Sequence, residues 1–307
     1  FSIDWLLDLF AEKKPSQILA QLEEGVKEGS LIKKGPGHYS FADEKMQEKW
    51  RPYLSEGEQR ELHQSIADIL MQELPDTEQK AHAVAHHLMH TSNDPGKCRY
   101  LVEAGDLHLK AFRTEDSLQC YSKVLEDLSH LHGEEIDRLF SETAIKYSKI
   151  STARHDTTKV LSILRSALER CKKWDIQDFQ SLLKMHMAKN EWLRSRYESA
   201  LRHFEEGWAL AEQVNNPKLM RLATTFSTFF LFWQGRFREA VRVYEKSVPD
   251  IEKFPKGGFP LLAVMTVGFC YAQIVQVTQG LGMLDAIRTH CLEKMNLYLA
   301  DYNGANI

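Results

Sequence analysis

Proline and glycine are scarce, at nine and sixteen among 307 residues, and most stand at joints between long periodic segments. Their scarcity leaves those segments free to be continuous helices. Cysteine is also rare. The five thiols (Cys98, Cys120, Cys171, Cys270, Cys291) are odd in number, widely spread and never in a CxxC pair. This pattern argues against a disulfide framework and suits reduced, mostly buried thiols in a cytoplasmic protein. Long apolar runs are missing too. The most apolar stretch, "FSTFFLFWQG", leads directly into "RFREA" and falls short of the roughly 20 residues a membrane helix needs. A net charge of −4 and a pI near 6.4 give no general attraction to nucleic acid or anionic membranes. Catalytic signatures are absent: there is no HExxH, no GxSxG, no paired-cysteine motif and no GxxxxGKS or GxxxxGKT phosphate loop. No catalytic residue, metal site or cofactor is therefore expected within these residues. The chain starts at Phe1 inside an amphipathic segment with no signal peptide, so a piece of a longer protein is expected.

Apolar side chains are plentiful, at 43% of residues, and recur at three- and four-residue intervals almost throughout, the mark of helices. The first fifty residues are the exception. "IDWLLDLF" and "PSQILAQLEEGVKEG" read as two helices, the second started by Pro15 and stopped by Gly29. "SLIKK" and "HYSF" alternate like strands around "GPG", which predicts a hairpin. Helix, helix, strand, turn, strand is the order of a winged helix-turn-helix, assigned to residues 1–52. Residues 53–96 read as a helical connector. Its first helix opens with Ser55 and Glu58 at capping-box spacing, and its second begins near Pro75 and Thr77.

From about residue 97 to 307 the chain repeats. "SLQCYSKVL" (117–125), "VLSILRSAL" (160–168), "ALRHFEEGW" (200–208) and "AVRVYEKSV" (240–248) share one template, small then large then small, with a period of about 40 residues. A weaker fifth copy runs through "GMLDAIRTHCLEK" (282–294). Helix pairs of this kind bury their apolar faces only against neighbouring pairs, so the fold class is mainly α, a helix-pair solenoid. The repeats resemble tetratricopeptide repeats stretched by about six residues beyond the usual 34.

The order of parts, with Tyr39, Phe41, Arg60, Glu61, Leu62, His63, Ile66, Ala67, Leu70, Ala85, His86, Ala104, Gly105 and Asp106, resembles the arm of a STAND-class signalling ATPase. The maltose-regulator and cyclase-associated types are the relevant members. The resemblance covers about residues 1–250. It implies a regulatory arm whose repeats bind a protein or small-molecule effector and whose winged helix couples that event to an ATPase domain upstream in cis. ATP or ADP would then belong to the parent protein. The alternative is a passive tetratricopeptide scaffold with no nucleotide switch. In the family a histidine after the wing strand is thought to touch the nucleotide phosphate, and Asp43 stands at that position here. A carboxylate repels phosphate, so either the contact is lost or Asp43 and Glu44 simply cap a helix over 44–50.

Three features remain as candidate sites. The wing's Lys33, Lys34 and His38 are the only local basic group, against three glutamates in the second helix, so no DNA contact is expected. His82, His86, His87 and His90 crowd into nine residues. A helical metal site or a pH-sensitive face is conceivable there, with packing as the default. In the tetratricopeptide register, Met185, Lys189, Trp192, Phe229, Phe232 and Trp233 would line the groove formed by the first helices of each pair. There they would anchor an effector, unless longer helices bury the rings between layers.

Overall fold

The computed structural model describes residues 1–43, 45, 53–111, 113–151, 156–247 and 259–293. These contain fourteen helices and one two-stranded antiparallel sheet, a mainly α protein of tetratricopeptide-like helix pairs. The chain divides into two compact units, Phe1–Leu131 and His132–Ile307. The helix that begins at Pro95, where a boundary was expected, lies inside the first unit.

The first unit starts with α1 (Ile3–Leu9) and α2 (Pro15–Lys27), followed by β1 (Leu31–Gly35) and β2 (His38–Phe41). Pro15 sits in the first turn of α2, where its missing N–H costs nothing. Gly29 follows the helix with φ +74°, a conformation that other residues adopt only at a cost. The strands pair Leu31 with Phe41 and Lys33 with Tyr39. Ile18, Leu22 and Tyr39 form the small core under the hairpin, with Ile3, Leu6, Leu7 and Phe10 packed on it. Helix α3 (Glu56–Glu73) opens on the expected capping box: Ser55 Oγ accepts from the Glu58 N–H, and the Glu58 carboxylate accepts from the Ser55 N–H at 2.8 Å. Helix α4 (Glu78–Leu88) is capped by Thr77. Next comes the pair α5 (Pro95–Lys110) and α6 (Thr114–Asp127). Within that pair Gly105 is fixed by packing: a Cβ there would lie 2.5 Å from the Tyr121 ring. The Tyr121 hydroxyl donates to Asp106 at 2.5 Å.

The described residues of the second unit form four helix pairs: α7 (Glu134–Ile150) with α8 (Thr157–Lys173), α9 (Gln177–Leu193) with α10 (Tyr197–Val214), α11 (Pro217–Trp233) with α12 (Phe237–Ser247), and α13 (Phe259–Gln273) with α14 (Val277–Glu293). The second helices begin at Thr157, Tyr197, Phe237 and Val277, forty residues apart each time. The small residues that open the repeat template, Val160, Ala200 and Ala240, are all buried. The same register places the fifth copy at Gly280 rather than Gly282, with Leu284 and Ile287 buried behind it. Turns recur at the same interval. The N–H groups of Arg196, Arg236 and Gln276 donate to the carbonyls of Glu191, Leu231 and Tyr271. Each turn has a residue of positive φ at its centre: Ser195, Gly235 and Val275. Contacts within pairs repeat as well, since Ser141 Oγ donates to the Ala167 carbonyl and, forty residues on, Ser181 Oγ donates to the Gly207 carbonyl. Small residues at these crossings let the two backbones of a pair come close. Gly280 does the same in the last pair, where a Cβ would meet the Gly268 carbonyl at 2.6 Å.

No described helix is long and apolar enough to cross a membrane. All five cysteines are free and buried, and burial raises Cys98 and Cys270 to about 12 and Cys120 to about 11. Their thiolate forms are suppressed at neutral pH, which makes them packing residues.

Candidate functional site

Two first helices of the second unit, α9 and α11, carry the residues expected in a groove, and the structure distributes them unevenly. Met185 is 0% exposed and belongs to the core with Ala188, Ala200, Ala223 and Phe230. Its volume is used to hold α9 against α10 and α11, so it lines no open surface. Lys189 is occupied otherwise. Its ammonium donates to the carbonyls of Ser148, Lys149 and Ser151 at 2.8, 3.3 and 3.1 Å, across the C-terminal end of α7. A cation in that position satisfies orphan carbonyls and complements the negative end of the helix dipole. Burial, then the neighbouring Lys149 charge, lowers Lys189 to about 8.

The four aromatic residues do come together. Trp192 is ringed by Tyr197, Phe229, Phe230 and Trp233, with centroids 4.6 to 6.2 Å away. Phe232 continues the group toward Phe237 and Phe269. Trp192, Phe229 and Phe232 are partly buried against the core clusters. Trp233 is 54% exposed and Tyr197 52%. The group sits where α9 and α11 end in their closing turns, so its open part is at the helix ends.

Nearer the middle of the same helices lies a pocket of about 260 Å³. Ile145 of α7, Phe179 and Leu182 of α9, and Leu222 and Phe226 of α11 supply its apolar wall. The polar lining is Glu142, Lys146 and Lys149 on α7 and His186 on α9. Glu142 pairs with Lys146 at 3.2 Å, one helical turn away. Burial, with the Lys189 and Lys149 charges behind it, holds His186 neutral, at about 3. Its Nδ1 lies 3.2 Å from Ser148 Oγ. That hydroxyl already accepts from Asn190 Nδ2 at 3.0 Å, and the same amide donates to the His186 carbonyl at 2.8 Å. Ser148, His186 and Asn190 thus form one buried hydrogen-bonded group linking α7 to α9. No sequence motif announced this pocket, because its residues come from three helices in two repeat intervals.

The first unit gathers histidines. His63 of α3 joins His86, His87 and His90, with its ring 4.4 Å from His90 and its Nδ1 2.9 Å from His87 Nδ1. Burial first, and the His63, His86 and His90 charges next, lower His87 to about 4. His82 pairs instead with His108, with ring centroids 4.8 Å apart. Among the described residues no set of three or more His, Cys, Asp or Glu is arranged to hold a metal. Asp43 accepts from the Lys45 N–H at 3.0 Å, the contact of a local cap. Glu44 and most of the helix expected over 44–50 lie outside the described residues.

No protein-family model matches the chain, and no curated protein matches it. Among solved structures, the apo form of RapI matches at 11% identity over 84% of this chain and 76% of that one, with a TM-score of 0.50. That likeness shows a shared helix-repeat fold. A Rap protein complexed with competence and sporulation factor matches at 12% identity and TM-score 0.46 over 84% of this chain and 76% of that one. A STAND protein with a tetratricopeptide repeat sensor from Pyrococcus horikoshii matches at 12% and 0.48, over 99% of this chain and 50% of that one.

Proposed function

We propose that this chain is the regulatory arm of a larger signalling protein, and that its second unit docks an effector on the face formed by α7, α9 and α11. The observation that carries this reading is the half-exposed Trp233, seated on Trp192, Phe229 and Phe232 beside an open apolar pocket. Rigid aromatic rings backed by a core lose little conformational freedom on binding and form effective anchors. The helix–helix–hairpin unit at the start is read as a winged helix that couples docking to a STAND-type ATPase upstream in cis. Asp43 takes no part in reading nucleotide; its carboxylate serves the Lys45 N–H. For docking to act as a switch, the effector must bind one arrangement of the arm better than the other.

The test starts with the reading frame ahead of Phe1, where a phosphate-loop motif is expected. In that longer protein, Trp233→Ala should uncouple ATP turnover from the effector while leaving folding intact. A frame without a phosphate loop would leave the passive scaffold as the better description. Unchanged coupling in the alanine variant would remove the aromatic face from the mechanism.

A further inference from the structure

We infer that the pocket between α7, α9 and α11 is a binding site for a small apolar monocarboxylate, its chain among the apolar wall residues and its carboxylate at the Lys149 end. This deepens the docking reading and rests on it for treating this face as the effector surface. At about 260 Å³ the space falls just below the ~300–1,000 Å³ of drug-sized ligand sites. It suits a chain or ring of about eight to ten heavy atoms and excludes a nucleotide. The wall is almost wholly apolar, so the body of the ligand must be hydrocarbon, and its burial drives binding.

Charge selects the head group. Lys146 is engaged by Glu142. Among the described residues no carboxylate pairs with the exposed Lys149 ammonium, and its positive field already disfavours the charged forms of Lys189 and His186 behind it. Glu142 and Lys149 are seven positions apart, roughly 10 Å along the helix, so an anion at the Lys149 end stands clear of the glutamate. The neutral His186 ring forms part of the wall. An unpaired cation calls for an acceptor with negative charge, which favours an acid over an amine or alcohol of the same length.

Calorimetry on the full chain with octanoate, octylamine and octan-1-ol tests this. Saturable octanoate binding is expected, at least tenfold tighter than either analogue. Lys149→Glu, at an exposed position, should weaken octanoate at least tenfold with an unchanged melting temperature, and Leu222→Trp should abolish binding by filling the pocket. Trp233→Ala should leave octanoate binding intact, because Trp233 is not part of the pocket; a failure of the docking face is thereby separated from a failure of this site. Absence of saturable octanoate binding, equal affinity for octylamine, or full binding by both pocket variants would overturn the inference. So would tight binding of a peptide ending in a free phenylalanine carboxylate with none of octanoate, which would make the site a peptide-terminus pocket.

Discussion

The Asp137 carboxylate lies 3.0 Å from the Arg170 guanidinium, and both residues are buried between α7 and α8. Trp174 Nε1 donates to the other carboxylate oxygen at 2.8 Å, and the guanidinium stacks over Phe140 at 4.0 Å. Such a pair is costly to break on one side, because the surviving charge stays buried without its partner. Arg170→Ala should therefore destabilise the protein by about 3–5 kcal/mol. Asp137→Leu with Arg170→Met, which removes both charges and keeps the volume, should cost far less. Urea unfolding of the full chain decides. A double variant as unstable as the single would refute the account.

Gly105 and Tyr121 offer a steric test in the first unit. A methyl group at 105 would overlap the ring edge at 2.5 Å. Gly105→Ala should cost about 1–3 kcal/mol as overpacking, despite the better helix propensity of alanine. Tyr121→Phe keeps the ring and removes the bond to Asp106, with an expected cost of about 1.5–3 kcal/mol. Thermal melts of the two variants separate shape from hydrogen bonding.

Val275 is a β-branched residue at φ +70°, 86% exposed, in a turn whose equivalent forty residues earlier holds Gly235. Left-handed backbone costs an L-residue roughly 1–2 kcal/mol, and the freer unfolded glycine chain offsets about 0.4–1 kcal/mol of that. Val275→Gly should stabilise by about 0.5–1 kcal/mol, the difference between those terms. Gly235→Val should destabilise. Matching signs in the two variants would show that backbone conformation does not govern these turns.

Acid should weaken both units. His186 titrates near 3 and His87 near 4 in the folded chain, below the ordinary value of about 6.5. The unfolded chain therefore binds more protons in the interval between. Stability is complete above about pH 6.5 and falls as pH drops toward 4 for His87 and toward 3 for His186. Melting temperature measured from pH 7 to pH 4 should decline, and His186→Gln should make the decline shallower. A flat profile in the parent protein contradicts the buried neutral histidines.

The helices were legible because a short-range apolar period determines which face is buried. Val160, Ala200 and Ala240 occupy equivalent buried positions for that reason. The capping box at Ser55 and the stop at Gly29 were legible as local chemistry. The site was less so. Whether an apolar residue on a first helix faces a groove or the next layer depends on how long helices stack, so Met185 and Trp233 read alike and end up apart. Lys189 finds carbonyls 38 to 41 residues away, and His63 joins histidines on another helix. Neither partnership has a signature within a short window. The fifth repeat was read two residues late, from Gly282, although Ala286 then falls at the large position; the forty-residue spacing selects Gly280, which puts Leu284 there.

The forty-residue register has a consequence for how such a chain can change length. Positions 200 and 240 are equivalent, so joining Ala200 directly to Val241 would splice one second-helix start onto the next with every later face still correctly aimed. A deletion of thirty-nine residues would instead turn all that follows by about 100° around the helix axis, bringing charged faces into the interior. The arm can therefore grow or shrink only by complete steps, much as a spiral staircase gains height by whole treads.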